Sequence, residues 1–247
     1  MFRKGLIISF LLLAHGAAQA TAFEAVDIKP LSIDSKDKAR LQRGAKWFMN
    51  YCSGCHSLKY MRYNRMAEDL GLTTFDGQVD KDLLKSNLIF TKASIYDPIH
   101  IAMPPEDAKQ WFGVVPPDLS LVARARGAKW LYVYLKSFYQ DSSRPFGSNN
   151  VLFPDVSMPN VLAPLIGKMI LISNTPDHRT YLQLVQQGEM FPNEFNDALN
   201  DLVTFLVYVG EPAQLVRYKL GGFVLVFLLV FLIIVYRLKR VYWRRIK

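Results

Sequence analysis

Phe48-Met49-Asn50-Tyr51-Cys52-Ser53-Gly54-Cys55-His56-Ser57 is the stretch on which the reading of this chain turns. Cys52 and Cys55 are the only cysteines in 247 residues, so a multi-disulfide scaffold is excluded and whatever the thiols do, they do locally. Three positions apart, they fall near one face of a helical turn, where each can add across a vinyl group of one haem. The adjacent His56 then projects its imidazole to the iron. Upstream, Leu41, Ala45, Phe48 and Met49 stand at i, i+4, i+7 and i+8. That stripe predicts an amphipathic helix over Asp37–Tyr51 that runs into the cysteines. Other chemistries fit less well. Zinc wants four ligands, and outside the motif there remain only His15, His100 and His178. A redox-active pair usually follows a strand in a βαβ unit, and a disulfide across two residues is strained. The expected cofactor is therefore one covalent haem c.

Such a haem needs a second axial partner or an open site; a Met partner means electron transfer, an open one oxygen or peroxide chemistry. Met49, Met61 and Met66 flank the attachment helix, while Met169 and Met190 lie in or beside helical segments, where Met is usually filler. Met103 and Met158 remain, each followed by proline in an irregular loop, and residue mechanics leave both open. Met158 has the advantage of greater separation from Cys52, since the chain must travel round the porphyrin.

Farther out, hydrophobic residues make up 51% of the chain, yet its net charge is +9. That pairing suggests a membrane or nucleic acid, and the location of the charge decides between them. Residues 1–20 hold Arg3 and Lys4 without an acid, and from Arg217 onward there are eight basic residues without an acid. The middle sets 20 basic residues against 21 acidic ones, which leaves no footprint for phosphate backbones, so no nucleic-acid partner is expected. The first twenty residues have the order of a signal peptide, with cleavage expected after Ala20. Leu220 to Tyr236 is seventeen residues without a charge, about 25 Å of helix, flanked on both sides by Arg and Lys that can snorkel. It reads as a single transmembrane helix. The basic tail after it belongs in the cytoplasm by the positive-inside rule, with the haem domain across the membrane. Residues 1–20, 21–213 and 214–247 are thus expected to be signal peptide, periplasmic haem domain and anchor.

Within the exported part no repeat is visible. Helices are predicted at Leu58–Leu70, closed by Gly71, and at Lys81–Phe90, Ala128–Gln140, His178–Gln187 and Glu194–Val209, the last capped by Asn193. Pro-rich connections make 95–120 and 141–176 ordered but irregular loops, and strand-like alternation is scarce. The fold class expected is mainly α, a cytochrome c-like haem domain with long loops that have a job.

Several blocks then bear a further resemblance, in order along the chain. They are Arg43-Gly44, Tyr51 to Ser57, Pro116-Pro117-Asp118-Leu119-Ser120, Arg124-Ala125-Arg126-Gly127, Met158-Pro159, Phe205-Leu206 and Glu211-Pro212 before the terminal span. In these the chain resembles the cytochrome c1 family, the haem subunit of ubiquinol:cytochrome c oxidoreductase, in a bacterial form. C-x-x-C-H alone is common to many cytochromes c; the P-P-D-L-S…A-R block with a C-terminal anchor is far narrower. The resemblance implies thioethers at Cys52 and Cys55, His56 as proximal ligand and Met158 as distal ligand. It also implies Arg126 and Tyr132 at a haem propionate, where a guanidinium can bind a carboxylate bidentately. Where some members carry polar, Asn-rich sequence, this chain has Trp111-Phe112-Gly113, so propionate contacts there do not carry over. The implied work is one-electron transfer from a Rieske iron–sulfur protein to a soluble cytochrome c or equivalent. Cytochrome b and the lipid bilayer are the other partners, in a dimer of the complex, and no catalytic acid or base of the chain's own is required. A tethered haem peroxidase and a stand-alone anchored cytochrome are the competing functions.

Overall fold

The computed structural model describes residues 30–173 and 180–244. The predicted signal peptide therefore lies outside the described residues, as does His178. The chain divides into two units, residues 1–210 and 211–247.

In the first unit, helix α1 (Lys38–Tyr51) starts where Asp37 accepts from the Arg40 N–H, 3.0 Å, and buries Leu41, Ala45, Phe48 and Met49 as its spacing predicts. Its partner is the longest helix of the unit. Gly44 marks the crossing: a Cβ there would lie 2.2 Å from the Asp201 carbonyl oxygen and 2.6 Å from Phe205 Cβ. Only glycine permits that approach, which gives the Arg43-Gly44 and Phe205-Leu206 blocks one shared reason. Beside the crossing, Arg43 forks onto the buried Asp201 carboxylate at 2.6 and 3.3 Å, with Arg40 Nε 3.3 Å from the same group. Phe48 and Phe205 rings meet with centroids 5.8 Å apart.

After the motif come β1 (Leu58–Arg62), α2 (Tyr63–Leu70), α3 (Lys81–Asn87), β2 (Pro98–Ile99), α4 (Pro105–Phe112), α5 (Val122–Arg126) and α6 (Ala128–Lys136). Next are β3 (Phe138–Gln140), β4 (Ser148–Asn150), α7 (Ala163–Ile166), β5 (Gly167–Ile172), β6 (Tyr181–Gln187) and α8 (Pro192–Gly210), the partner of α1. Among the described residues three antiparallel two-stranded sheets form, β1–β2, β3–β4 and β5–β6. Helix α8 is the hub. Tyr132 on α6 donates to Asn196 at 2.9 Å in the buried interface, and Tyr208 donates to Asp69 on α2 at 2.7 Å. Burial and the Asp69 carboxylate together push the Tyr208 phenol far above its ordinary pKa.

Several boundaries depart from the sequence reading. Leu58–Leu70 is a strand and then a helix, though Gly71 does close it with φ 74°. Leu58 and Met61 are both buried at i, i+3, a helical spacing, and a register irregularity between Leu58 and Arg62 lets a strand bury both. Ala128–Gln140 stops as helix at Lys136, where the Ser137 hydroxyl donates back to the Val133 carbonyl and the chain turns into β3. Lys81–Phe90 ends at Asn87. Residues 181–187, expected helical, form β6 against β5. Asn193 lies inside α8, and it is the Glu194 carboxylate that accepts from the Phe191 N–H at the helix start. The loop 95–120 contains α4, opened by Pro104-Pro105.

The second unit is helix α9, Gln214–Trp243, 30 residues and therefore about 45 Å long. Its described side chains beyond Tyr218 are almost all exposed and apolar, the composition and length of a membrane-crossing helix. It begins four residues past the last helix of the haem-motif unit, next to an ion pair between Arg217 and Glu211.

Candidate haem-binding site

Helix α1 delivers the motif. The N–H groups of Cys52 and Ser53 both donate to the Phe48 carbonyl, and those of Cys55 and His56 both donate to the Cys52 carbonyl at 3.0 and 2.8 Å. The five residues thus close a tight turn that keeps both thiols at the helix end. Both are free, Cys52 buried and Cys55 half-buried. Burial, then the neighbouring Cys55, pushes the Cys52 thiol up to about 12, and burial raises Cys55 as well. They are therefore held as neutral thiols rather than as a thiolate redox pair.

His56 is 9% exposed, and its Nδ1 lies 2.8 Å from the Pro117 carbonyl oxygen. A carbonyl only accepts, so Nδ1 carries the proton and Nε2 keeps its lone pair. Burial holds the imidazole below its ordinary pKa, against the opposing pull of that hydrogen bond and of Asp118. A neutral ring with a fixed tautomer is what a metal ligand requires.

The Pro116–Ser120 block is what fixes it. Leu119 N–H donates to the Ser57 carbonyl, the Asp118 carboxylate accepts from the N–H groups of Lys59 and Ser120 at 2.8 and 3.0 Å, and Ser120 Oγ accepts from Tyr60. Ser57 Oγ accepts in turn from Ile101 N–H, 3.0 Å. Pro117, Asp118, Ser120 and Ser57 were visible in the sequence as a motif but carried no role there. Their work is to strap β1 and the imidazole.

Met158 is held by a different set of residues. Its sulfur accepts a hydrogen bond from the Tyr134 hydroxyl at 3.4 Å. Tyr134 belongs to a column along α5 and α6: its ring stacks on Trp130 at 4.9 Å and 8°, meets Phe138 edge-on at 5.4 Å, and the Arg126 guanidinium covers Trp130 at 5.1 Å. Burial raises the Tyr134 phenol to about 12, so it is a donor at neutral pH. The loop carrying Met158 is pinned from β4. Asn150 donates to the Tyr134 carbonyl and accepts from Leu152 and Phe153, Asn149 accepts from Asp155, and Ser148 accepts from Asn160. Sequence reasoning missed Ser148-Asn149-Asn150, because nothing in three polar residues announces that they will be buried.

Of the remaining expected residues, Arg126 is exposed at the end of α5. Tyr132 is buried and donates its proton to Asn196 on α8, under the Lys136 ammonium at 5.8 Å. Met103 lies two residues past Ile101, on the segment tied to Ser57. Trp111 and Phe112 line, with Arg144, Phe146, Ser148 and Ser157, a cleft of about 240 Å³ that reaches the neighbour of Met158. Among the described residues no cluster of three or more His, Cys, Asp or Glu could hold a bare metal ion.

Comparison with known proteins covers the whole arrangement. A family model described as the Cytochrome C1 family matches residues 31–246. The chain is 47% identical to cytochrome c1 of Allochromatium vinosum, over 98% of each chain. It is 43% identical to a Nitrosomonas europaea protein called ammonia monooxygenase gamma subunit, over 97% of this chain and 99% of that one. Cytochrome c1 of Blastochloris viridis is 28% identical over 85% and 82%.

Proposed function

This chain belongs to the cytochrome C1 family, and from that premise we propose that it is the one-electron carrier of a quinol:cytochrome c reductase, held to the membrane by α9. The residues fit a covalent haem c, on the observation that carries the reading: two free thiols at a helix end, followed by a buried imidazole whose Nδ1 is committed to Pro117 and whose Nε2 is left to ligate. When bound, the haem supplies an iron that gains and loses one electron without proton transfer. Cys52 and Cys55 tether it, His56 is the proximal ligand and the strap from Pro117 to Ser120 fixes the ring's orientation.

Met158 is the sixth ligand in this reading. Its loop is anchored to α6 and β4, independently of the strap, whereas Met103 follows the Ile101 segment that is tied to the strap through Ser57. Arg126 is the propionate counter-charge, supported by its place on the column that ends at Met158. Tyr132 is the other propionate contact of this reading, its phenol placed by its hydrogen bond to Asn196 on α8. No general acid or base in the chain is needed; these residues position, insulate and set a potential. The domain of residues 21–213 faces the periplasm and the basic tail the cytoplasm, with residues 1–20 the cleaved signal.

Cytochrome b and a Rieske protein are the expected companions, in a dimeric complex, with a soluble cytochrome c as acceptor. Extraction in mild detergent through a tag on this chain tests that. Recovery of a quinol-oxidising complex containing both companions supports the reading. Recovery of the chain alone favours a free-standing carrier, and a large carbon-monoxide shift in the intact protein favours a haem enzyme with an open sixth site.

A further inference from the structure

We infer that Tyr134 is a positioning residue for the sixth ligand: its hydroxyl holds the Met158 thioether and sets how strongly that sulfur donates. The inference rests on Met158 as ligand.

A thioether sulfur has two lone pairs. One accepts the Tyr134 O–H at 3.4 Å, leaving the other for a metal. Both ends of this bond are fixed by packing. On one side the phenol is clamped between Trp130 and Phe138, the four residues Arg126, Trp130, Tyr134 and Phe138 following at helical spacing, and its backbone carbonyl is tied to Asn150. On the other side the loop is held by Ser148, Asn149 and Asn150. Tyr134 and Met158 are half-buried, so the bond is partly shielded from competing water. A donor on the sulfur withdraws electron density. That weakens its donation most where the metal is electron-poor, so the bond disfavours the oxidised state and raises the potential.

The test uses the intact holoprotein with Tyr134→Phe, which keeps every ring contact and removes only the hydroxyl, in the parent and in a Met158→Leu background. In the parent, the reduced-to-oxidised ratio at fixed ambient potential should fall roughly two- to fivefold, a fraction of the net worth of a hydrogen bond. The weak far-red band of the Met-to-iron bond should stay, and displacement of the sixth ligand by imidazole in the oxidised protein should slow. A merely structural hydroxyl predicts the opposite, faster displacement with no shift in ratio. In the Met158→Leu background Tyr134→Phe should add nothing, because the two act as one pair. An unchanged ratio in the parent, or an equal shift in both backgrounds, overturns the inference while leaving Met158 as ligand. Retention of the far-red band in Met158→Leu alone removes the ligand itself, and the inference with it.

Discussion

At the scale of single residues, an imidazole is set by a strap and a thioether by an aromatic column. Met158→Leu should abolish the far-red band and lower the midpoint potential, while Met103→Leu should leave both unchanged; redox titration with absorption spectroscopy reads the two together. The strap makes its own prediction. Asp118→Ala orphans the N–H groups of Lys59 and Ser120, and urea denaturation of the holoprotein should show a loss of about 1–2 kcal/mol, reduced by their partial exposure. No loss would separate the strap from the placement of His56. The motif itself was legible because each of its residues has a distinct chemical task at a fixed spacing. The bond of Tyr132 to Asn196 was not, since only the packing of α6 on α8 brings the two together.

At the scale of elements, the decisive contact is the crossing of α1 and α8 at Gly44. Helix propensity alone favours Gly44→Ala by about 1 kcal/mol. Against it stands a Cβ 2.2 Å from backbone oxygen, which can be relieved only by moving one helix, an overpacking cost of about 1–3 kcal/mol. The substitution should therefore destabilise, and a variant more stable to denaturant contradicts the crossing. A pH dependence belongs to the β3–β4 turn. Asp141, accepting from Ser143 and Asn149, is held below the ordinary carboxylate pKa chiefly by those hydrogen bonds. A depressed folded pKa stabilises above the unfolded value, about 3.9, and the gain is lost as pH falls through the folded value. Amide protection in residues 140–148, corrected for the intrinsic pH dependence of exchange, should fall in that acid range, and Asp141→Asn should remove the step; an identical profile in the variant contradicts it. Helices α1 and α8 were legible because long amphipathic stripes have one solution. The strands β1, β3 and β6 were not: short segments take their conformation from a partner far along the chain, and i, i+3 burial in a bulged strand looks helical.

At the scale of the whole molecule, the greasy and basic average resolves into parts. A near-neutral unit carries the motif, and a helix apolar on every face carries the positive tail. The full chain should resist high-salt and alkaline washes of membranes and come off only in detergent, whereas a chain ended at Pro212 should appear in the soluble fraction with its haem. Release of the full chain by salt alone contradicts α9 as anchor. Anchor and cofactor were legible because one is a bulk property and the other a contiguous motif; the hydrogen bonds of Asn149 and Asn150 that pin the loop were not, because they depend on the finished fold. Everything rests on a haem bound through Cys52 and Cys55, and the intact mass of the purified mature chain, taken with its alkaline pyridine spectrum, tests this most directly. The account predicts the mass of the chain from residue 21 plus one haem, unextractable by acidified acetone, with the spectrum of a haem whose two vinyl groups are both saturated. A chain of unmodified mass, or haem that washes out, would contradict it.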